Sequence, residues 1–336
     1  IAETLYATGV RFAFGHPGGE VVDLIEALEL QGIKFVLTGH ESAAAFMAAT
    51  VGRLTGVPGV CLATLGPGAC NLVLGVGCAL LDRDPLLAIS ARTVAKLAEV
   101  SEKQNLPLND LFAPISKASI SLNGRNTKET VRQALSLAKQ PPRGPVYLSL
   151  ANDVAVSPEG LSSEPLLEEE LPQTISHAVE SISGAVNDAE RPIAVIGISL
   201  DPRGDSPAVR EFLAATGIPY VVLPQAKGVA DEFGPGYLGT VASAAADSIL
   251  VGQLESSDCL LGIGFDPVES AQEWHYAAAL YNIANWSIAR GSFRPYVECL
   301  GDVSGLLKYL QAKCEPNTDW TEQELAELKL SVKQAM

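Results

Sequence analysis

At 336 residues the chain is long enough for two domains of roughly 100–200 residues each. Apolar residues make up 47% and charged residues 18%, enough to bury sizeable cores and too apolar for a disordered chain. With 39 acidic against 23 basic side chains the net charge is −16, which a nucleic-acid backbone or an anionic membrane would repel, so neither is expected as a partner.

Taken in chain order, the first 156 residues alternate short apolar strands with helical patterns. Strands are predicted at 10–14, 33–37, 59–64, 85–90 and 144–150, and helices at 21–29, 42–54, 69–81 and 129–139. This alternation predicts an α/β domain, a doubly wound parallel sheet covered on both faces. Residues 157–172 are acidic and carry prolines, the composition of a linker. The α/β theme returns over 173–315, with helices at 175–189, 207–216 and 303–312 and strands at 193–198, 220–223 and 258–264. Residues 316–336 form an amphipathic connector. Both sheets are expected to be parallel, with about five or six strands.

Six cysteines form no Cys-x-x-Cys pair, and there are four histidines, so no metal site is expected in this chain. Cysteines in apolar runs are expected as core residues of a reducing compartment, and no signal peptide or run of 18 uncharged apolar residues is present. A cytoplasmic location is the expectation. The chain opens at Ile1, within a helical pattern and without a Met, so residues are expected to precede it.

Several short motifs carry chemistry or mimic it. Glu41 stands at a strand-to-helix junction, either as a carboxyl group that exchanges a proton or as an acidic residue favoured by the helix dipole. His40-Glu41 lacks the second histidine of a zinc-protease motif, since residue 44 is Ala44. Gly18 and Gly19, after Pro17, either let backbone approach a ligand or make a tight turn. Gly66-Pro67-Gly68 and Asn71 form a strand-to-helix turn. Gly234-Pro235-Gly236-Tyr237-Leu238-Gly239 fits the dinucleotide pattern but follows Asp231-Glu232-Phe233 and no strand, and is set aside. Gly197-Ile198-Ser199 lacks the last glycine of a nucleophile elbow, and Gly262-Ile263-Gly264 the third of the dinucleotide motif.

Five fragments in order carry a resemblance. They are Phe14-Gly15-His16-Pro17-Gly18-Gly19, Gly39-His40-Glu41-Ser42-Ala43-Ala44, Ala63-Thr64-Leu65-Gly66-Pro67-Gly68-Ala69-Cys70-Asn71, Leu81-Asp82-Arg83-Asp84-Pro85, and Arg143-Gly144-Pro145-Val146. Together they resemble the pyrimidine-binding domain of thiamine-diphosphate (ThDP) enzymes of the acetolactate-synthase type. The second half is similar to the Rossmann-like central domain of those enzymes at Arg191-Pro192-Ile193-Ala194-Val195-Ile196-Gly197, Thr216-Gly217-Ile218-Pro219 and residues 258–264.

The resemblance implies a 2-oxo acid decarboxylated and ligated to a second carbonyl. It implies Glu41 as the catalytic carboxyl group, and Pro17, Gly18, Gly19, Gly66, Pro67 and Asn71 as cofactor-binding. Gln104 would line the substrate pocket, and a homodimer or homotetramer would complete the site. In decarboxylases of this kind an acidic residue often follows the first glycine of the first turn. Here Gly19 holds that place and Glu20 comes one later, which favours the carboligating branch.

The third domain of such enzymes supplies Gly-Asp-Gly and an Asn for magnesium, and neither Gly204-Asp205-Ser206 nor Gly301-Asp302-Val303 matches. The resemblance therefore implies two domains of a longer enzyme. Alone they are expected to hold ThDP weakly, to be inactive, and to leave Glu41 more exposed than a complete site would. FAD in the central domain is possible but not favoured, since no Arg lies near Gly264-Phe265-Asp266-Pro267. The alternative is a two-domain, non-catalytic binding or regulatory subunit of the same fold.

Overall fold

Apolar runs too short for helices, set between helical segments, need a sheet covered on both sides, and each half of the chain builds one. The computed structural model describes residues 1–94, 103–158, 160, 176–241, 247–270, 274–288, 293–316 and 318–336. The chain divides into two units, Ile1–Glu169 and Glu170–Met336. Of the expected linker 157–172, residue 159 and residues 161–172 lie outside the described residues.

The first unit is a six-stranded parallel sheet in the order β2-β1-β3-β4-β6-β5. Its strands are β1 (Phe12–Gly15), β2 (Lys34–Leu37), β3 (Gly59–Ala63), β4 (Leu86–Arg92), β5 (Ala118–Leu122) and β6 (Pro145–Ala151). Its helices are α1 (Ala2–Ala7), α2 (Val22–Leu30), α3 (Glu41–Thr55), α4 (Pro67–Asn71), α5 (Val73–Leu81), α6 (Leu108–Phe112), α7 (Thr127–Lys139) and α8 (Asn152–Ala155). β3 and β6 are buried along their whole length, as interior strands of a doubly covered sheet must be.

The sequence does not predict β5, because the strand is an edge whose Ser119 and Ser121 bond to Asn109 and leave no apolar run. The helix predicted over 69–81 is two helices meeting at Leu72, where the Asn71 carbonyl accepts from the Ser42 hydroxyl at 2.5 Å. α3 lies unusually close to the sheet through Ala44, Ala45, Ala48 and Ala49, all buried. A Cβ on Gly59 would fall 1.8 Å from the Ala48 carbonyl oxygen, so only glycine fits beneath this helix. Arg53, near the end of α3, forks onto buried Asp84 at 2.7 and 2.9 Å and fixes the helix to the strand entry.

The second unit is also a six-stranded parallel sheet, in the order β12-β11-β10-β7-β8-β9. Its strands are β7 (Pro192–Ile196), β8 (Tyr220–Val222), β9 (Tyr237–Thr240), β10 (Cys259–Ile263), β11 (Ala279–Ala284) and β12 (Val297–Leu300). Its helices are α9 (Ser176–Asp188), α10 (Ser206–Thr216), α11 (Asp247–Ser256), α12 (Val303–Gln311) and α13 (Glu322–Ala335).

β9, β11 and β12 go unpredicted for separate reasons. β9 is four residues with a glycine and a register shift, β11 is interrupted by buried Asn282, and β12 contains Glu298. The segment expected as a connector, 316–336, holds α13, opened by a Thr321–Glu324 capping box. Leu325 and Val332 of α13 are buried in the core of this unit with Leu238, Leu250 and Leu254.

Candidate functional site at the β1–β3 switch point

In the first sheet β2 lies on one side of β1 and β3 on the other, so the chain reverses its winding between β1 and β3. Ligands of open parallel sheets bind outside the carboxyl ends of the strands at such a point, where two diverging loops leave a crevice. The loops that leave β1 and β3 there are 16–18 and 64–66, and they contain Pro17, Gly18 and Gly66.

His16 donates from Nδ1 to the Thr38 carbonyl (2.9 Å), tying the loop after β1 to the end of β2. The Thr38 hydroxyl donates to the His40 carbonyl (3.0 Å). His40 Nδ1 accepts from the Ser42 amide at 3.1 Å and caps α3, so this histidine is a helix cap. That cap places Glu41 as the first residue of α3. Glu41 is 6% exposed, so it is not left open in the way expected of an incomplete site. The reason is α4, which covers it. Asn71 Nδ2 donates to Glu41 Oε2 at 2.9 Å, and a Cβ on Gly68 would lie 3.1 Å from Glu41 Oε1.

Thr64, which the sequence reading passed over, is wedged at the centre. A Cβ on Gly18 would fall 2.6 Å from Thr64 Cβ, and one on Gly68 would fall 2.6 Å from Thr64 Cγ2. The Thr64 hydroxyl donates to Glu20 Oε2 at 2.6 Å. This bond holds the Glu20 carboxyl below the usual carboxylate range, helped by backbone bonding and the charge of Lys103 and opposed by slight burial. Thr64 and Glu20 are 44 residues apart, so the spacing of motifs along the sequence gives no sign that they meet.

Gly66 has φ +59°, and a Cβ there would meet Gln104 Cβ at 2.7 Å. Gln104 is thereby brought against the turn, and residues 95–102 before it lie outside the described residues. Pro67 opens α4 at its first turn, where a missing N–H costs nothing. Pro17 and Gly19 are exposed, and a Cβ on Gly19 would meet nothing within 4 Å, so packing does not require that glycine.

The second sheet has its own switch point, between β7 and β10. Its crevice is closed by the chain itself. The Ser199 amide donates to the Gly264 carbonyl at 2.9 Å, and a Cβ on Gly197 would fall 2.6 Å from that same oxygen. Phe265 is fully buried against Trp274 and Phe293. Where a diphosphate would need the free amides of a helix N-terminus, Asp205 precedes α10, its carboxylate accepting from the Asp201 amide and the Ser304 hydroxyl. Among the described residues this packing disfavours FAD or ADP in the crevice. The pattern at 234–239 runs into β9 instead of following a strand, the reverse of a dinucleotide turn. Among the described residues no group of three or more His, Cys, Asp or Glu could hold a metal ion, and no helix is long and apolar enough to cross a membrane.

A doubly wound parallel sheet with the buried Glu41 carboxylate and glycine turns at its switch point is an α/β domain of the kind that binds ligands at the carboxyl ends of its strands. Comparison with known proteins gives the family. Residues 1–111 match the family described as thiamine pyrophosphate enzyme, N-terminal TPP binding domain, and residues 179–310 match its central domain. Acetolactate synthase of Bacillus subtilis is 29% identical over 324 residues, covering 93% of this chain and 56% of that protein. Acetolactate synthase isozyme 2 large subunit of Escherichia coli is 32% identical, covering 71% of this chain and 44% of its own length. A protein from Mycobacterium smegmatis described as thiamin diphosphate-dependent superimposes with a TM-score of 0.79 at 20% identity, over 94% of this chain and 62% of that one. The chain therefore belongs to the thiamine pyrophosphate enzyme family and carries its N-terminal and central domains. It spans about half the length of the curated relatives it matches.

Proposed function

We propose that the chain is the pyrimidine-binding and central part of a ThDP- and magnesium-dependent enzyme that decarboxylates a 2-oxo acid and ligates the product to a second carbonyl, as the acetolactate synthases named above suggest. The observation that carries this is Glu41, a buried carboxylate with one oxygen held by Asn71. When bound, the cofactor supplies the electron sink that decarboxylation of a 2-oxo acid requires.

This chain's own residues do the rest. Glu41 exchanges a proton at Oε1 while Oε2 stays fixed. The backbone at Gly18, Gly19 and Gly66 gives close approach, and Gln104 borders the pocket. Glu20, kept ionised by Thr64, stands at the same switch point without being the residue after the first glycine, which fits carboligation. Ligands for magnesium come from outside the described residues, and without them the chain alone holds the cofactor weakly and is inactive. Flavin is left out, since the central crevice is filled.

The assembly in this reading is a homodimer or homotetramer. α3, which bears Glu41, and α5 turn apolar side chains outward: Phe46, Leu54, Leu74 and Leu81 are 42–65% exposed, and Phe46 and Leu54 border a groove of about 230 Å³. An apolar face on the helix that carries the catalytic carboxyl group suits a second copy that completes the site. All six cysteines are unpaired, in keeping with a cytoplasmic location.

The deciding experiment is Glu41→Gln in the full-length protein, with pyruvate as the probe and release of carbon dioxide as the readout. Turnover should fall roughly 100-fold or more, the scale of a lost general acid–base group. Turnover within threefold of wild type would remove Glu41 from the mechanism.

A further inference from the structure

Two hydrogen bonds tie Asn71 to consecutive residues of α3. Its Nδ2 donates to Glu41 Oε2 at 2.9 Å, and its carbonyl accepts from the Ser42 hydroxyl at 2.5 Å. The two partners lie 30 and 29 residues upstream, so nothing local enforces the pairing. A carboxylate only accepts, which fixes the amide nitrogen of Asn71 as the end that faces it. The other end of the same short helix meets Glu41 again, with the bare Cα of Gly68 turned to Oε1. α4 thus grips one carboxyl group from both sides.

We infer that Asn71 is a positioning residue for Glu41: it locks the carboxylate rotamer before any ligand arrives, and it does not itself contact the cofactor. This inference rests on the proposed role of Glu41. A free glutamate side chain loses rotamer freedom when it is ordered, and a group already held need not lose it on binding. Pre-orientation of this kind raises turnover because a misplacement near 1 Å at a reacting group costs on the order of 100-fold. A side chain that bound the cofactor directly would act on cofactor affinity instead.

Two measurements test this, and the first needs no cofactor. Asn71→Asp keeps the shape of the side chain but sets a second carboxylate against Glu41. Thermal unfolding of the 336-residue chain should show a lower Tm for N71D than for wild type, and no further loss when N71D is added to Glu41→Ala. Equal losses in both backgrounds would show that Asn71 acts elsewhere and would overturn the inference.

The second measurement uses the full-length protein with ThDP, magnesium and pyruvate. Asn71→Ala should lower kcat by about 10- to 100-fold, and saturating ThDP should not restore it. Recovery of kcat at saturating ThDP would make Asn71 a cofactor contact. Glu41→Gln run in parallel separates the two ideas. If E41Q stays active, the catalytic reading falls, while the unfolding comparison still decides whether Asn71 holds Glu41.

Discussion

Gly68→Ala is the change that most sharply tests how the site is held. In an ordinary helix the substitution would stabilise by about 1 kcal/mol, because glycine is the poorer helix former. Here the new methyl would lie 2.6 Å from Thr64 Cγ2 and 3.1 Å from Glu41 Oε1, where non-bonded carbons rest at about 3.5–4.0 Å. Thr64 cannot turn away. Its other side meets Gly18, and its hydroxyl is bonded to Glu20 at 2.6 Å. α4 must therefore lift by about 1 Å, the missing part of a carbon–carbon contact. The Asn71–Glu41 bond, 2.9 Å long, then passes the limit of a useful hydrogen bond.

Overpacking of this kind costs about 1–3 kcal/mol, so after the helix gain the net loss is about 0–2 kcal/mol, or up to roughly 8 °C in Tm. Turnover should fall much further, on the order of 100-fold, because Glu41 loses its alignment. The assay pairs circular-dichroism melting of the chain with kcat of the full-length protein. Gly19→Ala is the control: its methyl meets nothing within 4 Å, and its Tm should match wild type. Wild-type turnover in G68A would mean that Thr64 and α4 yield without moving Glu41, and the chain of contacts described above would be wrong.

Three other outcomes are expected. Lys117 donates to the carbonyls of Leu137 and Gln140 at the end of α7, and burial, with a smaller contribution from Arg83, pushes its ammonium down to about 8. Between about pH 8 and 10.5 the unfolded chain therefore binds more protons than the folded one, so stability should rise with pH across that window, and Lys117→Met should flatten the rise. A fall in stability over that range, attributable to Lys117, would contradict this. Titration calorimetry of the chain with FAD or ADP at millimolar concentration should show no heat of binding, since the β7–β10 crevice is closed, and a micromolar dissociation constant would reopen it. Leu74→Glu on the outer face of α5 should convert the full-length oligomer to monomer in sedimentation, while a variant that still assembles would move the interface elsewhere.

The amino-acid pattern alone determined the fold class and the place of the key carboxylate. Largely apolar runs such as 144–150 and 193–198, set between helical segments, read as interior strands of a covered sheet, and Glu41 at the start of an alanine-rich helix is visible as a junction. Of the four described edge strands only β2 was legible; the other three were not. β5, β9 and β12 are short, polar or glycine-bearing, and their pairing partners rather than their own residues stabilise them. The clamp on Glu41 was equally hidden. Asn71 reads as a helix-start residue until α4 is folded onto α3, and Thr64 reads as the end of a strand until Gly18 and Gly68 close on it.

Local sequence specifies what a segment becomes because propensity and hydrophobic period act within a few residues. Which oxygen of Glu41 is held, and that the second switch point is shut by Gly197, Ser199 and Gly264, depend on contacts between segments 30 to 67 residues apart. Only the packed tertiary structure sets those distances.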